Sequence, residues 1–470
     1  MSEGTVVNKP MFAPDKVWGL LMVLTIIYGI ILAAIEHGGA FISVIGRGLW
    51  TIYSSPAILM HDYIALAGIG PALVNSGMSG LTVFIAFKLA KLPMSGPQMG
   101  VFGLVMGFAL MGKNPINMIP ILFGAFLYSL YKKEPYKNNV TMAGFATCLA
   151  PIVSQPAHIP EVINFIGSTG GVVLGAFLGI IIGFVINSMA VFIKKSHEGL
   201  NLYNIGWGAG LISIALTMVF STIGIQRFGP RFSWEAAGAV GAAGAYTPAS
   251  VPLEGFDYNV RLIILLVGVT VFFFIMGFLS GGKLSNLGEI LYMKADDNIF
   301  YNKYGQGHTY LAKGFLGLLA LLLIAVFQIR LTGGVVGAII SMIGWGGFGK
   351  AVANCAAIIA GVMLGGIARY LVHPRFLFAE MPFFYYMSNQ YVIWTSAFWG
   401  TCLSPMAKYF GWKWALIVGM VHFVFAATIG PFHWGMNLYN NGLAAGFACL
   451  VMIPLIRSLD RKGKYPPRVV

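Results

Sequence analysis

Residues 197–210, HEGLNLYNIGWGAG, return as HWGMNLYNNGLAAG at residues 433–446. Both copies fit H-x-G-[L/M]-N-L-Y-N-x-G-x-x-A-G, a pattern too long and too polar to arise twice by accident in an apolar chain. A second pattern gives the same register. Ser95-Gly96, Gly100, Gly107-Phe108, Gly112-Lys113, Asn117, Ile121 and Gly124 reappear as Thr332-Gly333, Gly337, Gly344-Trp345, Gly349-Lys350, Asn354, Ile358 and Gly361, an offset of 350 − 113 = 237. The first motif gives 433 − 197 = 236, so the chain is two related halves. Between these motifs, Thr147-Cys148-Leu149-Ala150-Pro151 matches Thr401-Cys402-Leu403-Ser404-Pro405 at 401 − 147 = 254, which requires compensating insertions. The aromatic stretch FLFAEMPFFYYMSNQY holds one of them.

Composition decides the solvent of these halves. A content of 58% hydrophobic and 9% charged residues, with a mean hydropathy of +0.80, excludes a soluble protein of 470 residues and describes a polytopic membrane protein. Sixty-one glycines suit closely packed transmembrane helices, in which small residues let backbones approach. The formal charge of +14 comes from Lys and Arg at the ends of apolar runs, the pattern of topology signals and headgroup contacts, so nucleic acid is not the implied partner. Cys148, Cys355, Cys402 and Cys449 lie in apolar segments without a C-x-x-C pair, and neither a metal site nor a disulfide framework follows. The run ending near Glu36 is longer than a signal-peptide core and reads as a retained first helix.

Apolar segments fall at 17–36, 64–92, 95–112, 115–131, 140–156, 171–193 and 200–222, then at 260–281, 313–329, 332–349, 351–371, 390–408, 412–431 and 436–456. The expected fold is therefore all-α and integral to the membrane, with two repeats of about seven segments each. The first repeat is assigned to 1–225, a connection to 226–258, and the second repeat to 259–470 with a cytoplasmic loop at 282–312 and a basic tail. With the N-terminus inside, Lys9, Lys16, Lys88, Lys91, Lys132, Lys133, Lys137, Lys194 and Lys195 all face the cytoplasm. The second half delivers Lys283, Lys294, Lys303, Lys313, Lys408, Lys413 and the tail to the same side. The exceptions are Arg47, Lys113, Arg227, Arg231, Arg261, Arg330, Arg369 and Arg375. An odd number of crossings inverts the second repeat and leaves both termini inside. Parity also survives if the segments flanking Gly112-Lys113 and Gly349-Lys350 form re-entrant hairpins, giving five spans per repeat. Both lysines then move into the interior.

Gly107-x-x-x-x-Gly112-Lys113 and its copy resemble a phosphate-binding loop only superficially. Asn114 and Ala351 stand where Ser or Thr should hold magnesium, and no strand precedes. The element instead sets a cation beside an amide one helical turn later, Lys113 with Asn117 and Lys350 with Asn354. Asn114-Pro115 reads as the N-cap and first turn of the next helix, whose positive end favours an anion or a polar carbonyl. The competing reading has the lysines snorkelling to headgroups and the asparagines bonding between helices. In the N-L-Y-N element, Asn201 and Asn437 are expected to cap the last helix of each half. Tyr203 and Tyr439 offer phenols, and Asn204 and Asn440 follow. His197 and His433 read best as structural. Carboxylates are almost absent from the middle of the apolar runs, with Glu380 nearest to an exception, which argues for a neutral polar or anionic solute or passive movement and leaves open sodium held by carbonyls and amides.

These duplicated signatures resemble a family of bacterial multi-pass membrane proteins of unknown function, over nearly the whole chain. That resemblance implies no activity. In architecture alone, paired inverted halves are similar to urea transporters, whose threonine-proline-phenylalanine motifs are missing here, and to seven-plus-seven carriers. The expected function is a transporter or channel, not an enzyme, in the cytoplasmic membrane for a small neutral polar or anionic solute. Its site would comprise Lys113, Asn117, Lys350, Asn354, Asn201, Tyr203, Asn204, Asn437, Tyr439 and Asn440. The alternatives are a membrane-embedded enzyme acting on a lipid-linked substrate and a membrane scaffold docking through residues 283–313. The implied partners are the bilayer and a small-molecule solute, with no cofactor and with homo-oligomerisation left open.

Overall fold

The computed structural model describes residues 12–59, 61–225, 256–292, 297–372 and 382–468. Lys9, Lys294, Arg375, Glu380 and nearly all of the connection assigned to 226–258, with Arg227 and Arg231, lie outside them. The first half contains α1 (Pro14–His37), α2 (Phe41–Tyr53), α3 (Tyr63–Ala67), α4 (Ile69–Leu89), α5 (Gly96–Phe108), α6 (Pro115–Lys132), α7 (Val140–Ala146), α8 (Ala150–Ser154), α9 (Pro160–Ser196) and α10 (Asn204–Thr222). The second contains α11 (Phe256–Leu279), α12 (Leu287–Leu291), α13 (Asp297–Phe327), α14 (Gly333–Gly344), α15 (Val352–Val372), α16 (Phe383–Asn389), α17 (Tyr391–Gly400), α18 (Ser404–Phe410), α19 (Trp412–Thr428) and α20 (Asn440–Ser458). No named strand occurs among the described residues.

This is an all-α integral membrane fold of two repeats. Nine helical stretches among the described residues are long and apolar enough to cross a bilayer. On α1, Leu20, Leu24, Ile27, Ile31 and Ile35 are exposed at helical spacing while Val17, Trp18, Leu21 and Met22 are buried. An apolar stripe facing outward and another facing inward is what a lipid-facing helix requires.

The internal symmetry extends to packing and backbone. Helix α1 packs on α4 as α11 packs on α13, and α6 packs on α9 as α15 packs on α19. The break between α3 and α4 lies at Gly68 (φ +89°), and α13 kinks at Gly305 (φ +76°), 305 − 68 = 237 positions on. Each position requires a left-handed backbone, which only glycine adopts cheaply. Helix α13 therefore begins at Asp297, so the loop expected at 282–312 is shorter. Its polar start, DNIFYNKYGQGHTY, is helical with residues 305–313 buried. Lys313, expected in the cytoplasm, has 0% exposure.

Two of the contacts between the halves shape the centre of the molecule. In the first, α5 and α14 run antiparallel at glycine distance. A Cβ on Gly107 would sit 2.3 Å from the Gly337 carbonyl oxygen, and one on Gly103 would sit 2.6 Å from Gly344 Cα. At the ends of the pair, Gly96 meets Phe348, and Gly333 meets the Leu110 carbonyl. With 13 and 12 residues, α5 and α14 are each about 20 Å long, too short for the roughly 30 Å hydrocarbon core. Neither is long enough to cross the membrane by itself, as the re-entrant alternative requires of them, whereas α6 and α15, with 18 and 21 residues, are near spanning length. In the second contact, the N-terminal turns of α10 and α20 touch, with Gly206 against Tyr439 and Gly442 against Tyr203.

Candidate functional site

The chain leaves helix at residues 109–114 and 345–351, at opposite ends of the α5/α14 pair. Phe108 ends α5, Gly112 turns at φ +90°, and Asn114 begins α6 as N-cap with Pro115 in the first turn. Asn117 N–H donates to Asn114 Oδ1 and Asn114 N–H to Asn117 Oδ1, both at 2.9 Å, so the turn is locked by its own side chains. Asn117 Nδ2 donates to the Gly112 carbonyl (3.0 Å) and to Ser154 Oγ (3.2 Å). This asparagine shapes the turn and reaches neither tyrosine of the duplicated motif.

Both turns aim a lysine at the other half. Lys113 Nζ donates to Tyr439 Oη at 2.9 Å, and Lys350 Nζ donates to Tyr203 Oη at 2.9 Å. Both lysines have 0% exposure. Each ammonium also lies over the ring it bonds, 4.5 Å from the Tyr439 centroid and 4.6 Å from that of Tyr203. The two tyrosine rings are 6.2 Å apart, so the four residues form a line, Lys113, Tyr439, Tyr203, Lys350. Headgroup snorkelling does not describe these lysines.

The motif copies, placed by topology on opposite surfaces, instead meet in the interior. Asn201 Nδ2 donates to the Gly442 carbonyl (3.0 Å) and Asn437 Nδ2 to the Gly206 carbonyl (3.3 Å). The oxygens of these amides accept from Tyr203 N–H (2.9 Å) and Tyr439 N–H (3.0 Å). The expectation that Asn201 and Asn437 cap α10 and α20 is corrected: they close the turn one step earlier, and Tyr203 and Tyr439 occupy the N-cap positions. Neither tyrosine caps with its side chain, because each phenol is turned to a lysine. The T-C-L breaks grip the same loops, Leu202 N–H donating to the Cys402 carbonyl and Leu438 N–H to that of Cys148, both at 2.9 Å.

His197 and His433 support the loops from below. Asn201 N–H donates to His197 Nδ1 (3.3 Å) and Asn437 N–H to His433 Nδ1 (3.4 Å). A backbone N–H only donates, so Nδ1 is unprotonated and Nε2 carries the hydrogen that goes to Asn204 (2.8 Å) and Asn440 (2.9 Å). Asn204 and Asn440 thus orient the histidines, which in turn hold the backbone of the loops. Asn354 differs from its counterpart Asn117. With Ala351 at the preceding cap position, its amide N and O, buried at 1% exposure, have no hydrogen-bond partner, and Ser404 Oγ donates to the Gly349 carbonyl instead.

A family described as "Protein of unknown function (DUF1576)" matches residues 41–222 and 279–458. The chain belongs to that family. The two matched stretches start 279 − 41 = 238 and end 458 − 222 = 236 positions apart, the spacing of the repeat. No curated protein and no solved structure matches the chain.

In this family member the sequence motifs missed three parts of the centre. Trp399 stacks on Phe108 (4.4 Å, 9°), which leans on Tyr439 (4.8 Å). Phe145 stacks on Trp345 (5.7 Å), which leans on Tyr203 (5.9 Å). Trp345 is the repeat counterpart of Phe108 (345 − 108 = 237) and Trp399 of Phe145 (399 − 145 = 254), so each lysine has one Trp–Phe pair with the roles exchanged. Lys313 is the third. Its Nζ donates to the carbonyls of Gly344 (2.5 Å) and Gly346 (2.9 Å) at the end of α14. In the first half Asn75 Nδ2 serves the corresponding end of α5, donating to Ala109 (2.7 Å) and Lys113 (2.9 Å) carbonyls. The repeated T-C-L-x-P pattern was the available pointer to the Trp–Phe pairs, since Phe145 and Trp399 each lie two positions before it.

Proposed function

We propose that the chain is a transporter or channel of the cytoplasmic membrane for a small neutral polar or anionic solute. The pathway runs where α5, α14 and the starts of α10 and α20 converge. The observation that carries this reading is the exchanged pair of buried bonds, Lys113 to Tyr439 and Lys350 to Tyr203. Burying an ammonium group is costly unless it is paired, and a phenol is a weak partner for it. Lys88–Asp15, Arg261–Glu36 and Arg457–Glu198 are ion pairs with carboxylates, and none involves these lysines. Both halves keep this costly arrangement where inverted repeats with discontinuous helices place a solute. Packing alone is served better by apolar side chains of the same volume.

The test is reconstitution in liposomes, with influx of urea, glycerol, acetate and nitrate followed by stopped-flow light scattering. Wild type is expected to accelerate at least one of these. Lys113→Ala and Lys350→Ala are each expected to remove that flux while eluting as monodisperse protein. Normal flux in both variants would show that the lysines are not part of the pathway.

A further inference from the structure

Around the central tyrosines, hydrogen-bond donors outnumber acceptors. The Lys113 and Lys350 ammonium groups each have three N–H bonds and donate to one side chain, a neutral phenol. The indole Nε1 of Trp345 and of Trp399, both buried, have no hydrogen-bond partner, and an indole N–H can only donate. The Asn354 and Asn114 amide N atoms have none either, and the unpartnered acceptors beside the two lysine turns are the amide oxygens of Asn354 and Asn75. Buried donors are nearly always satisfied in native proteins. The excess of donors at this centre therefore calls for an occupant that only accepts.

Charge points the same way. Two buried ammonium groups flank the tyrosine pair, and no carboxylate is paired with either among the described residues. The N-terminal turns of α10 and α20, each of 19 residues, meet there with no side-chain cap from Tyr203 or Tyr439, so two positive helix ends add to the lysines. A cation is repelled by this arrangement, and a neutral solute leaves both charges uncompensated.

Resting on the reading of this site as a solute pathway, we infer that the solute is a small oxyanion, of the carboxylate, nitrate or phosphate class. It accepts in each half-site from a lysine ammonium and from the indole N–H of the tryptophan packed on that half-site's aromatic rings. Lys113 with Trp399 forms one half-site and Lys350 with Trp345 the other. The phenols of Tyr439 and Tyr203 hold the ammonium groups when the anion is absent and release them to it.

The experiment uses the full chain in detergent, with thermal unfolding followed against sodium acetate, nitrate or phosphate, and against urea and glycerol. Ionic strength is held with the bulky sulfonate MES. At least one of the three anions is expected to raise Tm saturably in wild type and to do so less in Lys113→Met and in Lys350→Met, each of which keeps one half-site. Trp345→Phe and Trp399→Phe copy the residues that the other half carries at the same positions, Phe108 and Phe145, so the fold has a precedent for each. Each is expected to shift the saturation midpoint upward by about threefold to tenfold, the loss of one hydrogen bond, with the unliganded Tm little changed. A saturable response to urea or glycerol alone overturns the oxyanion while leaving the pathway standing. An anion response undiminished in both lysine variants places binding elsewhere, and the absence of any saturable anion response also overturns the inference.

Discussion

At the scale of the residue, the lysine–tyrosine bonds are notable for crossing between halves. A double-mutant cycle separates this exchange from general damage. Tyr203→Phe is expected to couple to Lys350→Met, and Tyr439→Phe to Lys113→Met, by about 1 kcal/mol or more, while the same-half combinations are near additive. Thermal unfolding of the four single and four double variants reads this directly. A second prediction concerns the Glu198–Arg457 pair, which ties the first motif copy to the end of α20. Arg457 Nη1 and Nη2 donate to the two carboxylate oxygens at 2.5 and 2.6 Å, and Arg468 N–H adds a third bond (2.9 Å). The Arg457 guanidinium holds the Glu198 carboxyl below the usual range. A depressed folded-state pKa gives stability that is present at neutral pH and is lost as pH falls through the carboxylate range. Glu198→Gln is expected to lower Tm modestly at pH 7, the pair being partly exposed, and to cost progressively less as pH falls through the lowered pKa of Glu198.

At the scale of the element, the decisive pieces are the two half-helices. Their glycine contact admits no side chain, so Gly107→Leu or Gly337→Leu drives a side chain into the opposing backbone. Either is expected to cost at least about 2–3 kcal/mol, visible as loss of monodisperse protein. Lys313 closes the end of α14 as Asn75 closes that of α5. Lys313→Met leaves the Gly344 and Gly346 carbonyls without that partner and is expected to lower Tm, whereas Leu89→Met, on an exposed side chain, leaves it within error. The sequence showed where these elements begin and end but not that their helical parts are too short to span a bilayer. An apolar run of seventeen or eighteen residues fits a crossing or a half-helix plus a turn, and hydropathy does not distinguish them. Lys313 was misplaced for a related reason. The polar start of α13 has the composition of a loop, and only its packing against α11 and α14 makes it a buried helix.

At the scale of the whole molecule, duplication was legible because both copies kept their polar residues, and the two offsets fixed the register. Where the copies lie relative to each other was not, because a membrane topology assigns residues to sides and says nothing of depth. His197 and His433 follow segments that end on opposite sides, yet the loops they begin turn inward and touch. The ion pairs agree with the expected sides. Asp15 with Lys88 and Glu198 with Arg457 join groups assigned to the cytoplasm, and Glu36 with Arg261 joins groups assigned outside. The Trp–Phe pairs were hidden because each half spells them in reversed order, so that neither tryptophan repeats.

The central claim is that the two N-L-Y-N copies meet inside the protein. It is tested most directly by pairing Gly206→Cys with Tyr439→Cys, since a Cβ on Gly206 would lie 2.9 Å from Tyr439 Cβ. After mild oxidation in native membranes, peptide mass spectrometry is expected to find the 206–439 disulfide within one chain, and equally 203–442 from Tyr203→Cys with Gly442→Cys. If both copies instead lay at opposite surfaces, about 30 Å apart, neither link could form, and its absence in folded protein would contradict the account.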